Sequence, residues 1–453
     1  MKKRDNTTKN TKKSSVNFQL SPLNPCVAGI DIGAASIFTC VGFTDCRQEV
    51  REYLTFTNDL KKMAQWLKEC GINSVAMEST GVYWIPIYDI LAQEGFSVLL
   101  VNAHYLKTVP GKKTDVKDCQ WIQQLHAYGL LPGSFRPDDE GVELRGYVRQ
   151  HTRLIELASQ QVLLMHKALV QMNIQLNHVI GDITGATGMS IIRAIVNGER
   201  DPTVLSKYRN PRCKKSKEEM IKALDGNYRG EHLLSLKQAL ESYDLFHRQA
   251  KECAAAIEKI LQNREEKIVK GNKAEPSSPL DDRSNHFDSE KCLQKVLGVN
   301  LLDIPGIGLN GAIKIIGEIG IDMTKWPTFK HFSSWLGLCP GNKISGGKVL
   351  SSRTKPSANR AAQALRMAAY TLYNSRSALG AYFRRMRSKL GTPKAITATA
   401  HKLARILYSM LREKKNFIEI GQEAYEKAHQ EKQIAFLKKK AQEFGFTLSG
   451  IAV

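Results

Sequence analysis

Four carboxylates stand out by where they fall in the chain. Asp31 ends a short apolar run, Pro25-Cys26-Val27-Ala28-Gly29-Ile30-Asp31, that reads as a buried strand. Glu78 follows a second such run, Ser74 to Met77. Asp115 and Asp118 sit at i and i+3 where a helix begins, so both face one side of it. In a layered α/β domain these elements can meet at one edge of a sheet. Four hard oxygen donors gathered there suit magnesium. Paired magnesium ions about 4 Å apart activate a nucleophile and stabilise the leaving oxygen in phosphoryl transfer. Each acid also has a plainer reading. Asp115 can simply stabilise a helix N-terminus, and Glu78 can be a loop carboxylate. Asp31 is harder to dismiss, because an acid after a buried strand needs a partner. Lys107, Lys112, Lys113 and Lys117 lie close to the pair at 115 and 118. They serve either as salt-bridge partners or as guides for a phosphate backbone.

A second set lies in the last third of the chain. Leu301-Leu302-Asp303-Ile304-Pro305-Gly306-Ile307-Gly308 precedes a helical stretch, Ala312 to Ile319, and reads as a helix-hairpin-helix. Gly306 and Gly308 would let backbone N–H groups approach a phosphate at a helix N-terminus; the alternative is a tight turn with no ligand. Further on, Ser345 lies on a loop with Gly346 and Gly347, between Lys343 and Lys348. A serine there attacks a phosphodiester if a base or a metal deprotonates it. It is equally an ordinary turn residue. From Lys343 to Lys415 there are 17 Lys/Arg and one acid, Glu413, a charge of +16. A solvated helix face mixes signs, so a field this lopsided points to a bound polyanion. Arg353, Lys355, Arg360 and Arg366 are candidate contacts to DNA or RNA.

The elements that must position these residues follow from periodicity. Residues 1–24 form a polar arm of charge +5 that is expected to be disordered. Over 25–140, strands (27–31, 37–43, 74–77, 97–101) alternate with helices (59–70, 82–94, 115–128), which implies an α/β layer with helices covering the sheet. Over 141–262, apolar residues recur at three and four from Glu143 to Ile180 and from Leu233 to Leu261, predicting two long antiparallel helices, a coiled-coil region. A basic, irregular segment with Arg212, Lys214, Lys215 and Lys217 separates them. Residues 263–292 are polar and read as a flexible linker. A last, mostly α domain spans 293–417, followed by an amphipathic helical tail over 418–453.

Composition narrows the classes. With 453 residues the chain is long enough for two or three domains. A net charge of +22 favours nucleic acid as partner. The longest apolar run, near Phe96 to Val101, is far short of the ~20 residues of a membrane helix. The polar N-terminus carries no signal-peptide pattern. Nine scattered cysteines with no CxxC argue against zinc modules and for reduced thiols in a cytoplasmic protein.

The motifs together resemble a known family. Gly29-Ile30-Asp31, Met77-Glu78-Ser79-Thr80-Gly81-Val82-Tyr83-Trp84 and Gly111-Lys112-Lys113-Thr114-Asp115-Val116-Lys117-Asp118 are similar to the DEDD transposases of bacterial insertion sequences, the bridge-RNA-guided recombinases. Pro305-Gly306-Ile307-Gly308, Trp335 to Asn342 and Ser345-Gly346-Gly347 match the family's second domain, in the expected order. The resemblance covers roughly residues 26–415. It implies a RuvC-like, RNase H-fold first domain in which Asp31, Glu78, Asp115 and Asp118 bind Mg2+. It also implies that Ser345 is the nucleophile of a transient serine–DNA phosphodiester, that an element-encoded RNA guides target and donor choice, and that the protein works as a dimer to tetramer on nucleoid DNA in the bacterial cytoplasm. Where family members often carry a basic residue after the first Asp, this chain has Gly33-Ala34-Ala35.

Three other readings compete. A junction-resolving nuclease would use the same acids with water and need no serine. A non-catalytic nucleic-acid-binding protein would keep the acids for structure. An actin-like sugar kinase would explain Gly29-Ile30-Asp31-Ile32-Gly33, but no second Gly-rich phosphate loop follows.

Overall fold

The computed structural model describes residues 22–43, 47–79, 81–106, 114–271 and 289–448. The N-terminal arm up to residue 21 and Lys107, Lys112 and Lys113 lie outside them. The chain divides into two units, Met1–Arg136 and Pro137–Val453.

The first unit is built on a five-stranded sheet. Its elements are β1 (Val27–Ile32), β2 (Ser36–Gly42), β3 (Gln48–Leu54), α1 (Thr57–Glu69), β4 (Ser74–Glu78), α2 (Trp84–Gln93), β5 (Ser97–Val101), α3 (Ala103–Leu106) and α4 (Asp115–Ala127). The strand order is β3-β2-β1-β4-β5. β1, β2 and β3 form an antiparallel meander, whereas β4 and β5 run parallel to β1. The parallel pairings need crossovers, which α1 and α2 supply. Both pack on one sheet face, where Leu60, Met63, Leu67, Ile87 and Leu91 meet Ala28, Ile30, Val75 and Met77. The opposite face takes α4, whose Ile122 lies against Ala76 and Val101.

Most of these elements match the sequence periodicity. β3 was not expected. It is an edge strand with Gln48, Glu49, Arg51 and Glu52, so it lacks the apolar run that marks a buried strand. Its Arg51 instead lies over the Trp66 ring, 4.5 Å from the centroid.

The second unit starts with a long helix pair, α5 (Asp139–Gln171) and α10 (Gly230–Gly271). They run antiparallel. Leu236 and Leu240 early in α10 pack with Met165 and Leu169 late in α5. At the far end Arg264, 5% exposed, donates to Asp138 and Glu140. The first helix of the pair, expected to reach Ile180, ends at Gln171, and the segment between the pair, read as irregular, holds short helices. It forms α6 (Leu176–Val179), α7 (Ala186–Val196), α8 (Pro202–Leu205) and α9 (Lys217–Leu224). Ile191, Ile192, Ile195, Leu205, Met220 and Leu224 give it a core. Local caps start its helices: Asp201 before Pro202, and a Ser216–Glu219 capping box.

The linker expected over 263–292 is narrower. Residues 263–271 continue α10 because Arg264 is anchored to Asp138 and Glu140, and a helix resumes at Ser289. Residues 272–288 lie outside the described residues. The remainder comprises α11 (Ser289–Leu297), α12 (Leu309–Ile319), α13 (Phe329–Trp335), the strands β6 (Lys343–Ser345) and β7 (Lys348–Ser351), α14 (Arg360–Thr371), α15 (Ala378–Leu390), α16 (Thr392–Glu413) and α17 (Gly421–Glu443). The tail helix α17 is not amphipathic in the expected sense, since none of its residues is buried. Polar and ring contacts hold it: Gln422 accepts from Arg384, and Tyr425 faces Arg385 and Lys402.

Candidate active site

In the first unit the charges of Asp118, Asp115 and Glu78 all act on Asp31. Ile30 of β1 pairs with Met77 of β4 in parallel register, so Asp31 and Glu78, one residue on, stand side by side at the strand ends. Side chains alternate along a strand. Asp31 therefore shares the face of Gly29, and Glu78 that of Ala76, which is the face covered by α4. The close seat of α4 depends on Gly29: a Cβ there would lie 2.2 Å from the Gln123 amide nitrogen and 2.5 Å from the Cys119 carbonyl oxygen. The missing side chain lets the helix lie directly on the strand.

Thr114 sets the start of α4, its hydroxyl accepting from the Lys117 amide. Asp115 and Asp118 then occupy the first turn. Asp118 is half-buried and Asp115 exposed. Their charge reaches Asp31. Burial first, then repulsion from Asp118, Asp115 and Glu78, pushes the Asp31 carboxyl up to about 6. A carboxylate this crowded by others is relieved by a cation.

Among the described residues no three His, Cys, Asp or Glu side chains stand close enough to hold one ion jointly. The donor chemistry still fits magnesium, which keeps several waters and needs only one or two protein carboxylates beside substrate phosphate. Two positioning residues were not singled out from the sequence, Gly29 and Thr114. The Thr-Asp-x-x-Asp pattern was the available signal for the second.

Ser345 lies in the second unit. It is not on a loop: it ends β6 in an exposed hairpin with β7. Gly346 and Gly347, with φ of 54° and 76°, form the two-residue turn. Such turns need positive φ at both positions and match strand twist. Lys348 is the direct cross-strand partner of Ser345, and Ile344 pairs with Val349 on the other face.

The basic field divides in two. Arg384, Arg387, Arg405, Arg412 and Lys414 are committed to backbone carbonyls or aromatic rings. Lys343, Lys348, Arg353, Lys355 and Arg360 are exposed, and Arg366 is half-buried. Lys117 is exposed in the first turn of α4. Gly306 and Gly308 have different parts. At Gly306 (φ 89°) a Cβ would lie 2.6 Å from the Ala368 carbonyl of α14, so packing demands the glycine. Gly308 is the N-cap of α12, with open space around it and no side-chain cap.

Comparison with known proteins bears on both units. The family model of DEDD transposases of the IS110 type, described as "Transposase", matches residues 28–174. A second, described as "Transposase IS116/IS110/IS902 family", matches residues 298–384. Together they take in about half of the chain. The "Insertion element IS110 uncharacterized 43.6 kDa protein" of Streptomyces coelicolor is 30% identical over 115 residues, 25% of this chain and 28% of that relative. The aligned part thus spans little more than a quarter of the relative's length. The first family match contains all four acids and the second contains Ser345 and its hairpin: the chain belongs to the IS110 family of DEDD transposases.

Proposed function

We propose that this protein is a DNA transposase that cuts and rejoins strands through a serine–DNA intermediate. The observation that carries the reading is the convergence of Asp31, Glu78, Asp115 and Asp118 at the ends of β1 and β4 under the start of α4. The strand order, an antiparallel meander followed by two parallel strands, supports an RNase H-like first domain. The four acids would hold Mg2+, which supplies charge neutralisation at the scissile phosphate. Ser345 is the nucleophile in this reading. Its Oγ–P bond forms as the bond from phosphorus to the leaving strand breaks. The phosphodiester energy is kept for rejoining.

Exposed Lys343, Lys348, Arg353, Lys355 and Arg360, with half-buried Arg366, supply the phosphate-binding surface. A short 3-10 helix at Leu301–Asp303, the Pro305-Gly306-Ile307-Gly308 turn and α12 support the helix-hairpin-helix reading, with Gly308 at the open helix start. The family resemblance supports an element-encoded guide RNA and assembly from several copies. Among the described residues no helix is long and apolar enough to cross a membrane.

The test uses the full chain with its element DNA and magnesium. A denaturing gel reads a covalent protein–DNA adduct, and co-purified RNA is sequenced. The adduct should form in wild type and vanish in Ser345→Ala and Asp115→Asn. Cleavage that survives Ser345→Ala without an adduct would replace the serine by water.

A further inference from the structure

Within the second unit, a cleft of about 1090 Å³ opens between α5, the start of α12 and α14. Each wall contributes a cation: Arg153 from α5, Lys314 from α12 and Arg360 from α14. None of the three is in an ion pair among the described residues. A fourth lining cation, Arg149, is already bound to Glu318 at 2.7 Å. That leaves Glu156 as the one lining acid not taken up by an arginine. Three cations from three helices line one concavity, and a bound polyanion would match them.

We infer that this cleft binds the backbone of a single-stranded nucleic acid. The size decides between single strand and duplex. Cavities that enclose one small molecule run to roughly 1,000 Å³, so this space takes a few nucleotides and not the girth of a double helix. The lining suits a strand that is held without being read. Gln150 of α5 and Gln363 of α14 also line the cleft, and a Cβ at Gly308 would meet open space. The site deepens the nucleic-acid reading above, on which it rests for the class of ligand, and takes Arg360 and Gly308 from the surface named there. The chemistry recognised is a phosphodiester chain, which guide RNA and an unpaired DNA strand both present.

The test is fluorescence anisotropy on full-length protein carrying Asp31→Asn, so that no strand is cut. The probes are a ten-nucleotide RNA, the same sequence as DNA, and its DNA duplex. Arg153→Glu combined with Lys314→Glu should weaken single-strand binding by roughly tenfold or more. It should also lower the slope of log affinity against log salt by about 1.4, two single-strand phosphate contacts. Duplex binding, carried by the exposed lysines and arginines near Ser345, should change less than about twofold. A control with the same charge change on α17, Lys438→Glu with Lys439→Glu, should leave single-strand binding nearly intact. Selective loss for RNA assigns the site to a guide, and for DNA to an element strand; either supports it. Equal losses in cleft and control variants, equal losses for duplex and single strand, or no loss at all would overturn it. If the double reversal fails to fold by circular dichroism, Arg153→Gln with Lys314→Gln carries the same test with a smaller expected loss. Binding that persists in a protein that never cleaves DNA keeps this site and removes only the transposase reading.

Discussion

Ser345 and Lys348 face each other across the β6–β7 hairpin, separated in sequence only by the Gly346-Gly347 turn. Directly opposed residues have Cβ atoms about 4.5–5.5 Å apart on one face of the ladder. A phosphate attacked by the Ser345 hydroxyl therefore comes within reach of the Lys348 ammonium. Lys348→Ala should slow adduct formation by roughly 10²-fold, the cost of removing one donor to a developing oxyanion. Lys348→Arg should restore much of the rate, and DNA affinity should move little in either variant. Single-turnover adduct kinetics decide: an unchanged rate in Lys348→Ala would leave the lysine a surface charge.

Asp31 predicts a pH-dependent response to magnesium. Its carboxyl sits at about 6, above the ordinary value near 4. Without a cation, the folded protein holds this proton more tightly than the unfolded chain does. Stability is therefore lost as pH rises from about 4 to about 6, and the penalty is full above that. If the ionised acids hold magnesium as proposed, it should raise the melting temperature at pH 7.5 and have little effect at pH 5. Asp31→Asn should melt higher than wild type at pH 7.5 in chelator and gain less from the metal. A magnesium shift equal at both pH values, or equal in wild type and variant, would exclude Asp31 as a ligand.

Glu318 ties α12 to α5. It is 10% exposed and accepts from both Nε and Nη2 of Arg149, while Arg145 donates to the Glu318 and Gly317 carbonyls. Arg149 is half-exposed, so removing Glu318 costs its charged hydrogen bonds, about 1.5–3 kcal/mol, and not a fully buried charge. Glu318→Ala should lose stability on that scale in urea unfolding. Replacing Glu318 and Arg149 together by Gln and Met should lose less. If the single and double variants are equally damaged, packing and not charge holds the helices together.

Much of this was legible in the sequence, and the exceptions have physical causes. Asp31 stands out in the sequence because an apolar strand that ends in a carboxylate breaks its own pattern. The helix pair was found because a repeat of three and four persists for many turns. β3 was hidden because an edge strand has no second face to bury. The helices between residues 176 and 224 were hidden because each is short and their shared core shows only once they are packed. The β-hairpin at Ser345 was signalled by Gly346-Gly347, but two adjacent glycines fit a loop equally well until the flanking strands pair. Arg153 and Lys314 carried no signal at all. A cation on a long helix reads as solvated unless the fold closes a cleft around it.

Gly29 tests whether the acids are placed by packing. The α4 backbone crosses β1 at this residue, and a single methyl would meet the Gln123 nitrogen at 2.2 Å and the Cys119 oxygen at 2.5 Å. Both are backbone atoms, so no rotamer change relieves the clash, and the helix itself must lift. Gly29→Ala should cost about 1–3 kcal/mol, the usual range for overpacking. It should also cost activity beyond that loss. Asp31 lies two residues along on the same face, and Asp115 and Asp118 ride on the helix that moves. The separation between them should widen, and repulsion on Asp31 should relax. Two measurements check this together: adduct formation at a temperature where the variant is fully folded, and the magnesium-induced melting shift at pH 7.5. Both should fall well below wild type. Full activity in a folded, destabilised Gly29→Ala protein would mean that α4 does not set the geometry of the acids.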